Sequence, residues 1–301
     1  MAVFSADFIH NFTLVAKDPQ PDLAPAALLI ARLEYPNLDA SLYLRQLDEM
    51  GLAALNRLGS SSDAATDPMR SLEVLNQYLF DEQGFSGNRE NHDDPRNSFL
   101  NAVIDRRTGI PITLALVYIE VARRAGLQLH GVNFPGHFLL SMPRRPDVTL
   151  DPDDPVIVNP FHGGAVLSES DCRRLLREHV GENSVFDRRL LMRATKQQIL
   201  IRILVNLKRI YVRMRSFPQS RAITDLLLAL NPSAMTELRD RGLLAYHLND
   251  FSSALRDLEA YLRFTSRGAG GGEGGDKDGN DEHAEIWEHV KTLRRRVASF
   301  N

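Results

Sequence analysis

From Pro111 to Ala125 the chain reads PITLALVYIEVARRA, apolar on almost every face of a helix. Such a helix has no solvent side and must be covered from several directions at once. It is too short to cross a bilayer, which takes ~20 apolar residues, and Arg123 and Arg124 close it. That leaves the centre of a globular core, with the rest of a domain packed around it. Gly126 follows, the residue a helix C-terminus favours because it accepts a left-handed backbone.

On either side the pattern differs. Downstream, His130–Asn133, His137–Met142 and Val156–Val158 are short runs of strand type. A proline-rich loop, Pro143–Pro155, separates the last two. Ser168 with Asp171 three residues on caps a helix running to His179. Upstream, Leu23–Leu33 and Leu38–Leu58 read as amphipathic helices divided by Pro36-Asn37. A polar linker, Gly59–Asp67, leads to Pro68, which opens a helix to about Phe80. Gln83–Asn97 is a loop, and Ser98–Arg106 a short helix capped by Asn97 or Ser98.

From Thr195 onward everything is helical hairpin: Gln197–Met214, Gln219–Leu230, Ala234–Leu248 and Ser252–Phe264, with turns at Pro218, Asn231-Pro232 and Asn249-Asp250. These four helices repeat at about 34 residues, the tetratricopeptide period. Gly242 and Ala254 fall at the small positions, with Leu238, Leu258 and Tyr261 at large apolar ones. One repeat earlier Leu207, Tyr211, Leu227 and Pro232 fit the frame, with Ser220 at the small position. Two repeats bury too little alone, so they need the preceding domain and a cap. The Trp287 helix, Ala284–Phe300, supplies the cap, beyond a Gly/Asp-rich stretch that reads as flexible linker.

Bulk properties exclude several classes. A formal net charge of -3 gives no general attraction to polyanions. The single cysteine, Cys172, excludes an internal disulfide and any multi-cysteine metal site. No signal peptide precedes the first helix and no apolar run suits a membrane, so the expected location is cytoplasmic.

Six stretches stand in a definite order: LNQYLFDEQGFSGN at Leu75–Asn88, DPRNSFLN at Asp94–Asn101, RRTGIPIT at Arg106–Thr113, GVNFPGHFL at Gly131–Leu139, NPFHGG at Asn159–Gly164 and RDRGLL at Arg239–Leu244. Together they resemble the SirB-type family, bacterial proteins with a transglutaminase-like domain followed by tetratricopeptide repeats. The resemblance runs from about Leu23 to Phe264, and the insert at 268–279 departs from it. It implies an α+β, mostly helical fold: a degenerate transglutaminase-like (papain-like) core with a small antiparallel sheet, then the helical hairpins.

In active relatives a cysteine opens the core helix, a histidine follows on a strand, and an acid on the next strand orients it. The resemblance places Pro111 at the cysteine position, His137 at the histidine and Asn159 at the acid, where the SirB-type pattern usually keeps aspartate. Proline offers no nucleophile, although it suits a first helical turn. Asn159 can hold an imidazole but not neutralise an imidazolium.

His137 therefore reads either as the working residue of a retained cleft or as a core histidine. Cys172 lies on an amphipathic helix and reads as buried and inert. His92, Asp93, Asp94, His137 and His162 lack the spacing of a metal site, so neither metal nor cofactor is expected. His130 and His179 look incidental, and Gly84–Asn88 is a turn without the lysine of a phosphate loop. The basic run from Arg188 to Arg215 includes Arg202, Lys208, Arg209 and Arg213, a candidate partner patch whose bland alternative is pairing with Asp225, Glu237, Asp240 and Asp257.

The expected organisation is a helical segment at 1–67, the transglutaminase-like core at 68–185, the repeats at 195–265, a linker at 266–283 and a capping helix at 284–301. The leading function is a non-catalytic interaction or regulatory scaffold binding a protein or peptide, with nucleic acid a weaker possibility and no membrane. The alternative is a hydrolase or transferase using His137 as general base without a cysteine.

Overall fold

A computed structural model describes residues 4–60, 67–143, 155–268 and 277–299, with side chains omitted at 266–282 and 297–299. Most of the linker expected at Gly59–Asp67, of the loop at Pro143–Pro155 and of the Gly/Asp-rich stretch therefore lies outside the described residues. The chain forms two compact units: Leu14–Asn206, and Met1–Thr13 with Leu207–Asn301.

The first unit holds α2 (Ala24–Ala31), α3 (Ala40–Ser60) and α4 (Pro68–Asn76), and α1 (Ala6–Lys17) lies ahead of them in the segment expected to be helical. Asp67 caps α4 through the Met69 N–H, and Pro68 stands in its first turn. The helix continues as a π-helical turn, Gln77–Glu82. A two-residue strand β1 (Ser86–Gly87) pairs in parallel with β2 (Thr108–Gly109), on either side of α5 (Leu100–Arg106). The cap expected for α5 is corrected. Asn97 and Ser98 belong to a preceding 3-10 turn, and Phe99 takes the cap position without a side-chain bond.

Helix α6 (Pro111–Arg124) is the core element, buried continuously from Ile112 to Ala122. The sheet follows: β3 (His130–Val132), β4 (Leu139–Met142), β5 (Val156–Asn159) and β6 (Ala165–Leu167), antiparallel in that order. Helix α7 (Glu169–Val180) has the foreseen cap, Ser168 and Asp171 bonding reciprocally. It packs Cys172 and Leu176 against Val132, Phe134, Leu139 and Ile157 of the sheet region.

The continuous burial of α6 includes one charge. Glu120 is fully buried, yet accepts the Leu23 N–H at 2.7 Å and pairs with Arg123 and Arg124. The carboxylate thus ties the start of α2 to the core helix. Burial and the facing Glu120 push Asp22 up to about 6.

The second unit holds the last part of α8 (Lys196–Arg213), then α9 (Phe217–Leu230), α10 (Met235–His247), α11 (Phe251–Gly268) and α12 (Lys277–Ser299). The repeat frame explains the packing. A Cβ at Gly242 would come within 2.7 Å of the Leu258 side chain, so only glycine allows α10 and α11 this approach. Ala254 and Ser220 are fully buried at the corresponding positions. Helix α12 closes the array with Ile286, Val290 and Leu293 against Ala245, Ala254, Leu258 and Leu262, leaving Trp287 41% exposed.

Replacing Glu120 by alanine should lower the stability of the first unit by ~3–5 kcal/mol, because Arg124 and the Leu23 N–H lose their buried partner. Glu120→Gln, which keeps an acceptor, should lose less. Urea unfolding followed by near-ultraviolet circular dichroism measures both.

Candidate functional site

The site forms where β4 and β5 meet. Phe134 N–H bonds back to Val132, and the His137 N–H bonds to the Phe134 carbonyl, a tight turn that includes Gly136 at φ +71°. Glycine is required there twice over, by the left-handed backbone and because a Cβ would overlap the His179 ring. The turn delivers His137 to the end of β4, 5% exposed. On the next strand Asn159 is equally buried, and its Oδ1 lies 3.0 Å from His137 Nε2. The same oxygen accepts the Phe161 N–H at 3.2 Å, capping the 3-10 turn Pro160–His162.

These two contacts fix the protonation. An oxygen that accepts from the backbone also accepts from the ring, so neutral His137 carries its proton on Nε2 and a lone pair on Nδ1. Burial, with the positive fields of His179, His162 and Arg202, pushes His137 down to about 4, against the support of the Asn159 bond. At neutral pH it is therefore an uncharged acceptor. General bases work best with a pKa near the operating pH, and a value near 4 makes His137 a weak one.

The structure gathers more imidazoles than the sequence reading foresaw. His179, read as incidental, has its ring centroid 5.5 Å from that of His137, and His162 lies 6.4 Å away. His179 donates Nδ1–H to the Leu175 carbonyl, so its Nε2 is the open nitrogen when neutral. Phe161 stands 6.1 Å from His137 and 6.5 Å from His92, and burial lowers the His162 pKa. Among the described residues no group of three or more His, Cys, Asp or Glu side chains is placed to hold a metal ion.

Pro111 opens α6, which packs against β3, β4 and the Pro160–His162 turn. A Cβ on Gly87 would come within 2.5 Å of the Phe161 ring, and Gly87 is paired with Gly109 just ahead of Pro111. Thus the Pro111 end of the helix and the His137 turn face a common region. The first turn of α6 is closed on itself: the Ile110 N–H donates to Thr113 Oγ1, and the Thr113 and Leu114 N–H groups bond to the Ile110 carbonyl. Cys172 is 1% exposed and burial pushes its thiol up to about 11, which keeps it protonated at neutral pH.

The basic residues separate. Arg202 lies near the cleft, donating to Asn133 Oδ1 at 3.4 Å and acting on His137 electrostatically. Lys208 is corrected: at 14% side-chain exposure it bonds Glu237 and Asp240 at 2.6 and 2.9 Å, so it holds α8 to α10 and is not part of a docking patch. Arg209 and Arg213 are exposed. The acids Asp225 and Asp257 pair with Arg241 of α10.

A transglutaminase-like domain joined to tetratricopeptide-type hairpins is what these features define. The transglutaminase-like superfamily signature matches residues 41–205 and a tetratricopeptide-repeat signature matches 207–291. The chain is 40% identical over 257 residues to a UPF0162 protein of Xylella fastidiosa, covering 84% of this chain and 87% of that protein. A UPF0162 protein of Vibrio cholerae is 30% identical, covering 65% and 70%. F-box only protein 21 of mouse is 33% identical over 198 residues, covering 64% of this chain and 31% of that protein. The chain belongs to the SirB-type family, the UPF0162 proteins.

The depressed pKa of His137 has a stability consequence. The unfolded chain takes up a proton near pH 6.5 and the folded site only near 4, so the His137 contribution is complete above 6.5 and is lost as pH falls toward 4. That amounts to about 3 kcal/mol. Asp22, raised to about 6, acts in the opposite sense, so the comparison must be between wild type and His137→Gln. Wild type should lose about 2–3 kcal/mol more than the variant between pH 7 and 4.5 in urea unfolding. Parallel pH profiles would show that His137 is not held neutral by the fold.

Proposed function

We propose that this protein is a non-catalytic scaffold of the cytoplasm whose helical repeats engage a protein partner, with the degenerate cleft kept as a structural or peptide-contacting element. The observation that carries this reading is that each triad position is committed to structure. Pro111 supplies the rigid first turn of α6. Asn159 orients His137 and caps the following turn with the same oxygen. His137 is buried and poorly basic.

The repeats supply the other half. Paired helices with buried small residues form a surface suited to extended partners. Arg209 and Arg213 lie exposed on α8, beside the exposed Val212 and Met214. A general-base enzyme acting through His137 is the weaker reading, because a pKa near 4 leaves little driving force for proton abstraction at neutral pH.

Affinity capture from a lysate with wild type, His137→Ala and an Arg209→Glu/Arg213→Glu variant tests the reading. The partners held by wild type should remain with His137→Ala and be lost with the repeat variant. Loss of the partner with His137→Ala alone, or a turnover that vanishes with it, would overturn the scaffold reading.

A further inference from the structure

A line of hydrogen bonds joins the Asn159–His137 pair to the middle of α6. Tyr118 is fully buried in that helix. Burial pushes its hydroxyl pKa up, so it stays a phenol and donates. The proton goes to Asn76 Oδ1 at 2.9 Å. Asn76 is the last residue of α4, and its Nδ2 donates to the Gly164 carbonyl at 2.9 Å, 88 residues away in the chain. The amide sits only this way round, because a carbonyl accepts and cannot donate. Gly164 N–H then bonds back to the Asn159 carbonyl at 3.0 Å. Asn159 Oδ1 completes the line at His137 Nε2.

Two features show that the turn is built around this amide. Gly164 is left-handed at φ +73°, and a Cβ there would overlap the Asn76 side chain. A π-helical turn, a form often found at functional sites, begins at the residue after Asn76. It sets the Phe80 ring edge-on to Tyr118, with centroids 6.0 Å apart. The line therefore meets α6 at its buried middle and not at Pro111.

We propose that Asn76, oriented by Tyr118, is the positioning residue of the His137 cleft: it fixes the Asn159–Gly164 turn so that the Asn159 oxygen meets the imidazole nitrogen. Both side chains act through the turn and not on a ligand. The inference concerns how the imidazole is set, and stands apart from which partner the repeats hold.

The test follows the His137 ring N–H by NMR of the isotope-labelled full chain at neutral pH. Asn76→Asp keeps the shape and still accepts from Tyr118, but turns an oxygen toward the Gly164 carbonyl. Tyr118→Phe removes only the donor hydroxyl. Each should shift the ring nitrogens and speed exchange of the Nε2 proton with water by about tenfold, the scale of one weakened hydrogen bond. The backbone amides of α3 should keep their protection. Tyr43→Phe, which removes a hydroxyl bonded to Asp105 in the same unit, should leave the ring unchanged. A wild-type ring signal in either variant, the same acceleration in Tyr43→Phe, or an acceleration matched by the α3 amides would each overturn the proposal. If Asn76→Asp does not fold, Tyr118→Phe decides alone.

Discussion

Helix α6 has no solvent face, and the rest of its unit is arranged to supply what solvent would have given. The hydrophobic side chains from Ile112 to Ala122 need cover on all sides, which the sheet and α3 provide. The one charge caught in that burial, Glu120, finds its partners in Arg123, Arg124 and the Leu23 N–H. A buried carboxylate without such partners would be strongly destabilising, so the placing of α2 is tied to the same constraint. The N-terminus of the helix is closed by proline and by Thr113, which leaves its first turn organised for structure.

That arrangement determines what the site can do. In a working acyl-transfer site the start of this helix carries a thiolate and the histidine cycles its charge. Here the start of the helix has no thiol, and the histidine is held neutral by burial and by neighbouring positive groups. The Asn159 contact still keeps the imidazole in one tautomer with Nδ1 open.

Much of the fold was legible because its elements are long and periodic. The apolar run of α6, the Ser168 cap and the small residues Gly242 and Ala254 each state their environment locally. What escaped was short or non-local. Strand β6 has three residues, too few for an alternating pattern. His179 joins His137 only because α7 folds back on the sheet, although the glycine at 136 was a sign that something lies close there. For Lys208 the sequence left two readings open, a partner patch or pairing with acids such as Glu237 and Asp240, and the structure takes the pairing. Its acids lie on α10, close to one repeat away, so the repeat frame itself held the clue. The left-handed Arg107 and the π-helical turn at Gln77–Glu82 were not legible, because neither leaves a mark in composition or periodicity.

The claim on which the account rests most heavily is the neutral, Asn159-held state of His137, and nitrogen-detected NMR of that ring as a function of pH tests it directly. The account predicts a proton on Nε2 and a bare Nδ1 throughout the neutral range, with titration only near pH 4. Titration near the ordinary value of 6.5, or a proton on Nδ1, would contradict it and restore His137 as a candidate base.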